Sequence, residues 1–172
     1  MICLGLIEAI GYVGLTPLPA QSAVPLKPYL PARAAFRAAE VAVASCQQQG
    51  YNVTATVINT EGMVIAVLRG DEATPHTLEH SFNKAYTIIT IGPILKVDST
   101  AKIYELTKHR VGIGAWGFPA TPIKGLTPNV GGIALFTGEK IIGGLGVSGA
   151  PDGHIDEECA KKGREAANSL LR

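Results

Sequence analysis

Residues 131–150, GGIALFTGEKIIGGLGVSGA, constrain the fold more than any other part of this chain. Ile133 and Leu135, then Ile141 and Ile142, hold apolar strand positions on either side of Thr137-Gly138-Glu139-Lys140. Gly138 is free to take a positive φ, so the pattern predicts a β-hairpin. The second strand continues through Gly143, Gly144 and Gly146. Glycine weakens a strand, so glycines kept there mark a bulge or a close approach by another backbone or a ligand. Small residues serving tight hairpin packing account for them equally well. After Val147-Ser148-Gly149-Ala150 the chain turns at Pro151-Asp152-Gly153 and becomes helical.

The remaining elements follow from periodicity. Small apolar residues recur at three- and four-residue steps over 32–49, behind Pro31 and ahead of Gly50, which predicts a helix with one narrow packing face. Residues 51–59 (YNVTATVIN) alternate and are β-branched, and with 63–69 they predict a first hairpin turning at Thr60-Glu61-Gly62. Pro75 disfavours helix at Thr74 and sets a helix start near His76. That helix carries Leu78, Phe82, Ala85, Tyr86 and Ile89 at helical spacing. A second helix over 99–108 follows Pro93, with Ser99 as N-cap and no capping box. Residues 109–130 read as a long Gly- and Pro-rich loop holding Trp116 and Phe118; loops of that length are more often functional than idle. A last helix over 156–171 turns Cys159, Ala160, Gly163, Ala166, Ala167 and Leu170 inward. Strands that arrive as hairpins imply an α+β class with a mostly antiparallel sheet.

The chain has 172 residues, 47% of them hydrophobic and 17% charged, which suits one packed domain. A net charge of +1 and the lack of basic runs interleaved with aromatics exclude an electrostatic nucleic-acid binder. Residues 1–23 differ from the rest: small and apolar, then Pro-rich, with Ala20-Gln21-Ser22 as a cleavage signal. They read as a secretory signal and predict a secreted or periplasmic protein, with 24–172 as the mature domain. Glu8 interrupts the apolar run, and no Lys or Arg precedes Lys27; a start further upstream would account for both. The run is too short and broken for a membrane span. Cys46 and Cys159 would remain after export, as a disulfide or, the favoured expectation, as two buried thiols.

The densest chemical cluster is Glu72, His76, Glu79 and His80. His76 and His80 share a helix face, where two imidazoles can clasp a transition-metal ion. They cannot both ligate one haem iron, whose axial positions lie on opposite faces of the macrocycle. The ordinary account is a solvated polar face, and it is favoured. The acidic run from Asp152 to Glu158 suits a helix first turn better than a hard-cation site. No nucleophile elbow, phosphate loop or zinc spacing is present.

GGIALFTGEKIIGGLGVSGAPDGHIDEECAKKG resembles the closing segment of the GlcG/HbpS-like family of haem-binding proteins, a domain also found at the end of PduO-type proteins. The family pattern there is a Gly-Gly hairpin strand, then "G..IGG.GVSGA", then "D..CA..G". Residues 68–90 match as well, so the resemblance covers most of the chain after residue 24. It departs at Asn59, where Asp is common, and at Ile133-Ala134-Leu135, where Leu-Pro-Ile is common and a changed pocket wall is expected.

The resemblance implies a profilin-like sheet with helices on both faces, assembled as a homo-oligomer. It also implies a small-molecule ligand, with His76 and Thr77 as contacts because a His-Thr pair and an "S..KAYT" run follow the "R.D.A" turn. Lys84 and Arg69 are candidate anion partners, although Lys84 could be a surface cation and Arg69 could brace the turn through Asp71. Gly131 and Gly132 could border the same pocket. The start of the helix at His76 offers backbone N–H groups to a carboxylate or propionate. The leading expectation is non-covalent binding of haem or a related tetrapyrrole, since an imidazole suits iron and no Cys-x-x-Cys-His motif exists. Two alternatives stand beside it: an enzyme acting on haem or a small carboxylic acid, and an oligomeric sensory or interaction module. Whether the protein is an enzyme is left open by the residues themselves.

Overall fold

The structure, a computed structural model, describes residues 27–109 and 123–171. The signal-like segment 1–23, Cys3, Trp116 and Phe118 lie outside the described residues. The first hairpin pairs β1 (Thr54–Asn59) with β2 (Val64–Arg69), and the second pairs β3 (Gly132–Thr137) with β4 (Lys140–Ser148). They join through β1 and β4 into one sheet of order β2-β1-β4-β3, antiparallel throughout. Gly138 closes the second hairpin at φ 56°, in the left-handed region glycine tolerates. In the first, Asn59 Oδ1 accepts from the N–H groups of Glu61 and Met63 at 3.1 and 2.9 Å. Asn does there what Asp would do, so this departure from the family pattern is a local turn choice.

Helices cover both faces. α1 (Ala32–Gln47) and α4 (Gly153–Asn168) pack on each other and on one face; α2 (His76–Leu95) covers the other, with α3 (Thr100–Thr107) beside it. The α1/α4 face is the larger core, where Val57, Ile133, Leu135, Leu145 and Val147 meet Ala34, Ala38 and Ala42 of α1. The α2 face is smaller and more polar. Its core is Ile88, Ile91, Ile103 and Ala134. Buried hydroxyls pair across it, Thr54 with Thr77 and Thr56 with Ser81, both at 2.7 Å. Gly144 and Gly146 face α2, and a Cβ on Gly146 would lie 2.0 Å from the Ser81 carbonyl oxygen. The strand glycines therefore mark a close backbone approach, one of the alternatives their spacing left open, and the neighbour is a helix.

Three expectations need correction, and one element ends where the spacing had set no limit: α2 runs past Pro93 to Leu95 and ends at Lys96 in the left-handed conformation. Pro93 sits in the last turn, where a missing N–H and a ring clash disturb little of the helix. α4 starts at Gly153 rather than Asp156, because Asp152 Oδ1 caps it by accepting from His154 N at 2.9 Å. Leu170 lies beyond that helix and is exposed, and Ala166 is only partly buried. Finally, Cys46 and Cys159 are joined by a disulfide between α1 and α4, not held as two thiols. It closes a loop across a separation of 113 residues. Reducing it should lower stability by about 2–5 kcal/mol, read as a fall in the urea midpoint when reductant is added.

Candidate functional site

Three side chains project from successive turns of α2 on one face: His76, His80 and Lys84. They line a cleft of about 460 Å³. The segment before β3 contributes Asn129 and Val130 to its wall, Ser148 at the end of β4 contributes, and His154 and Asp156 of α4 complete it. The size falls within the range of small-molecule sites.

Lys84 is deeply buried. Its Nζ donates to Asp156 Oδ2 at 2.7 Å and to the Val147 carbonyl at 2.9 Å, and both charged side chains are 3% exposed. Asp156 Oδ1 accepts from Ala150 N at 3.0 Å. Burial pushes the Lys84 ammonium down and the Asp156 carboxyl up, and their mutual attraction offsets part of both shifts. The pair ties α2 to the β4–α4 turn and forms the cleft floor.

His80 is half-buried and engaged on both ring nitrogens. Asn129 Nδ2 donates to Nε2 at 2.8 Å, which leaves the ring proton on Nδ1, 3.2 Å from Ser148 Oγ. Desolvation first, then the charges of Lys84 and His76, hold its pKa below the ordinary 6.5. A histidine whose folded pKa is lowered contributes stability that is present above its unfolded value and lost as pH falls through the folded value. Stability should therefore decline as pH drops below about 6.5. His80→Gln should flatten that limb in urea titrations run across the acid range.

His76 is exposed at the cleft rim. Its Nδ1 lies 3.2 Å from Thr74 Oγ1. Among the described residues, its Nε2 makes no hydrogen bond.

The other expected contacts fall elsewhere. Thr77 is fully buried against β1 through Thr54 and does not line the cleft. Arg69 braces its turn as one alternative held, but through the Ala73 carbonyl rather than Asp71. Lys84 lines the cleft, yet its charge already has a partner. Gly131 and Gly132 both donate backbone N–H to Thr100 Oγ1 at 2.9 Å and sit beneath Lys84, outside the cleft lining. Ile133-Ala134-Leu135 also lies outside that lining, so this departure alters the sheet core and not the wall of this cleft. The first N–H groups of α2 are drawn back to its own turn, Thr77 N to Thr74 O and Leu78 N to Pro75 O, which weakens the case for a carboxylate there.

The His76–His80 metal clasp also loses support, because both His80 nitrogens are occupied. Among the described residues no group of three or more His, Cys, Asp or Glu side chains is disposed to hold a metal ion. The acidic run resolves into separate tasks: Asp152 caps α4, Asp156 holds Lys84, and Glu157 accepts from Ala101 N at the start of α3. Ser148 and Asn129 were not singled out from sequence. Ser148 lay inside the recognised strand pattern, and nothing in the order of residues places Asn129 beside His80.

The family described as "Haem degrading protein HbpS-like" matches residues 30–165. No curated protein matches the chain. Among solved structures, a double mutant of Streptomyces reticuli HbpS is similar at 24% identity and a TM-score of 0.68, over 88% of this chain and 97% of that one. Klebsiella pneumoniae protein ORFY is similar at 21% identity and a TM-score of 0.74, over 86% and 97%. A structure described as a PduOC:heme complex is similar at 22% identity and a TM-score of 0.68, over 80% and 94%. These likenesses show the shared fold. Among the described residues no helix is long and apolar enough to cross a membrane.

Proposed function

Because the chain belongs to the HbpS-like family, we propose that it binds haem non-covalently in the cleft between α2 and α4. The observation that carries this reading is His76, which brings to the rim of a small-molecule-sized cleft an imidazole whose Nε2 makes no hydrogen bond among the described residues. The donor set fits the group. An imidazole is a common ligand of haem iron, and Tyr104, Pro128, Val130 and Pro151 offer flat or apolar edges for a macrocycle. Haem, when bound, would supply an iron able to take small ligands or single electrons. The protein's own contribution is to ligate through His76 and to hold the cleft floor rigid through Lys84 and Asp156. The heme complex of the PduO neighbour supports the reading.

Titrating the full chain with ferric haem should give a saturable Soret shift at one haem per chain. Weak, unsaturable uptake like that of any apolar surface would contradict it. The family description favours a second reading, haem degradation. Under that reading the Soret band of the complex bleaches faster than free haem when a reductant and oxygen are supplied.

We place the protein outside the cytoplasm, secreted or periplasmic after loss of residues 1–23. The Cys46–Cys159 disulfide supports this, since such bridges persist in oxidising compartments. We also propose a homo-oligomer. Met63, Val64, Val67 and Leu68, exposed in and beside edge strand β2, support that assembly.

A further inference from the structure

We propose that the cleft floor is a carboxylate-binding subsite, in which the Ser148 hydroxyl and the third N–H of Lys84 donate to a carboxylate entering between α2 and α4. The subsite does not rest on haem binding. A small free acid and a propionate arm of a tetrapyrrole present the same group to it.

His80 decides what Ser148 has to offer. Asn129 Nδ2 donates to His80 Nε2 at 2.8 Å. Thr127 Oγ1 lies 3.5 Å from the same nitrogen and accepts from Asn129 N at 3.3 Å. Nε2 is therefore the acceptor of the ring, and Nδ1 carries the proton. Ser148 Oγ, 3.2 Å away, accepts it. A serine that accepts in this way still has its own O–H to donate. Among the described residues that hydrogen meets no acceptor. Ser148 is 2% exposed and lines the cleft, so the cleft is where the hydrogen can be used. A buried donor without an acceptor lowers stability, and a ligand oxygen placed there removes the penalty.

Lys84 supplies a second donor beside it. Its Nζ donates to the carbonyl of Val147, the residue before Ser148, and to Asp156 Oδ2. That uses two of its three N–H groups. Asp156 is compensated by the N–H groups of Ala150 and Gly149 as well as by Lys84. At the His80 ring, which touches Ser148, the charges that act are those of Lys84 and His76, both positive, and more weakly Glu79. An anion beside Ser148 thus meets a positive field. A carboxylate brings two acceptor oxygens, one for each donor, and its charge strengthens both hydrogen bonds.

The test is an NMR titration of the full chain with sodium acetate at constant ionic strength, beside sodium chloride and acetamide, the neutral analogue. Acetate should shift the amides of Ser148 and Gly149 and the His80 ring saturably, and the two controls should not. The His80 pKa, held below 6.5 in the free protein, should rise when acetate is bound, because a neighbouring anion favours the imidazolium. The other charged and titratable groups around the cleft are Lys84, His76 and Glu79 from α2, Tyr104 from α3, and Asp152, His154 and Asp156 at the start of α4. Binding at the rim would move His76 and His154 instead. Ser148→Ala should weaken acetate about 10-fold, the loss of one hydrogen bond to a charged group, and Ser148→Thr should restore it. The acetate and acetamide comparison uses the parent chain alone, so a misfolded variant cannot mask the answer. Ferric haem and its dimethyl ester identify the source. Displacement of acetate by haem and not by the ester assigns a propionate arm; displacement by both or by neither assigns a free acid. No saturable response to acetate, an equal response to chloride or acetamide, shifts at the rim alone, or an unchanged affinity in Ser148→Ala would overturn the subsite, whether or not haem binds.

Discussion

Lys84→Ala should cost about 3–5 kcal/mol, the largest loss expected from any single side-chain truncation at the cleft floor. The reason is what it leaves behind. Asp156 is 2% exposed, and without Lys84 its carboxylate keeps only backbone N–H partners in a dry site. A domain of this size has a total stability of roughly 5–15 kcal/mol, so the variant sits close to unfolding at ordinary temperature. Burial works against both charges, which makes the intact pair a modest contributor and the broken pair a severe defect. The double variant Lys84→Met with Asp156→Leu should therefore be less destabilised than either single change. A double-mutant cycle in urea measures the difference. Equal, additive losses would mean that the two side chains act independently, against the geometry.

Gly146→Ala should be nearly as damaging, at about 3 kcal/mol or more. An added Cβ would lie 2.0 Å from the Ser81 carbonyl oxygen and 2.6 Å from Ala85 N. Both atoms belong to the backbone of α2, so no rotamer change relieves the contact. The helix must lift, which pulls apart the Thr56–Ser81 hydrogen bond and displaces His80 and Lys84 with it. Gly138→Ala is the natural contrast. Gly138 has nothing within 4 Å of an added Cβ and only a left-handed φ to defend, which costs about 1–2 kcal/mol. The two melting temperatures should separate accordingly, although both glycines sit in the same hairpin.

Those two glycines also show how far the residue order could be read. Gly138 was legible because a turn glycine acts locally. Gly146 announced a close neighbour but could not say whether it was a ligand or a helix, since that depends on which element folds back on β4. The hairpins, the α+β class and the start of α2 at His76 were legible for the same local reason. The site was legible only in part. His76, His80 and Lys84 share a helix face that spacing alone reveals. Their partners Asn129, Ser148 and Asp156 arrive from elements up to 72 positions away, and no periodicity encodes those meetings. Thr77 went astray through the same gap. Its place in a His-Thr pair suggested a ligand contact, yet one step along a helix turns a side chain about 100° away from its neighbour, here onto Thr54. The disulfide depended on α1 and α4 lying side by side, which two isolated cysteines cannot announce.

Haem ligation in this cleft through His76 is tested most directly by ferric-haem titrations of the parent chain and His76→Ala, followed by Soret absorption with and without added imidazole. The parent should saturate with a shifted Soret band. The variant should bind at least about 10-fold more weakly, a loss of about 1.4 kcal/mol, and free imidazole should restore the parent band. Parent and variant giving the same band at the same affinity would contradict ligation by His76 and move the haem site away from this cleft.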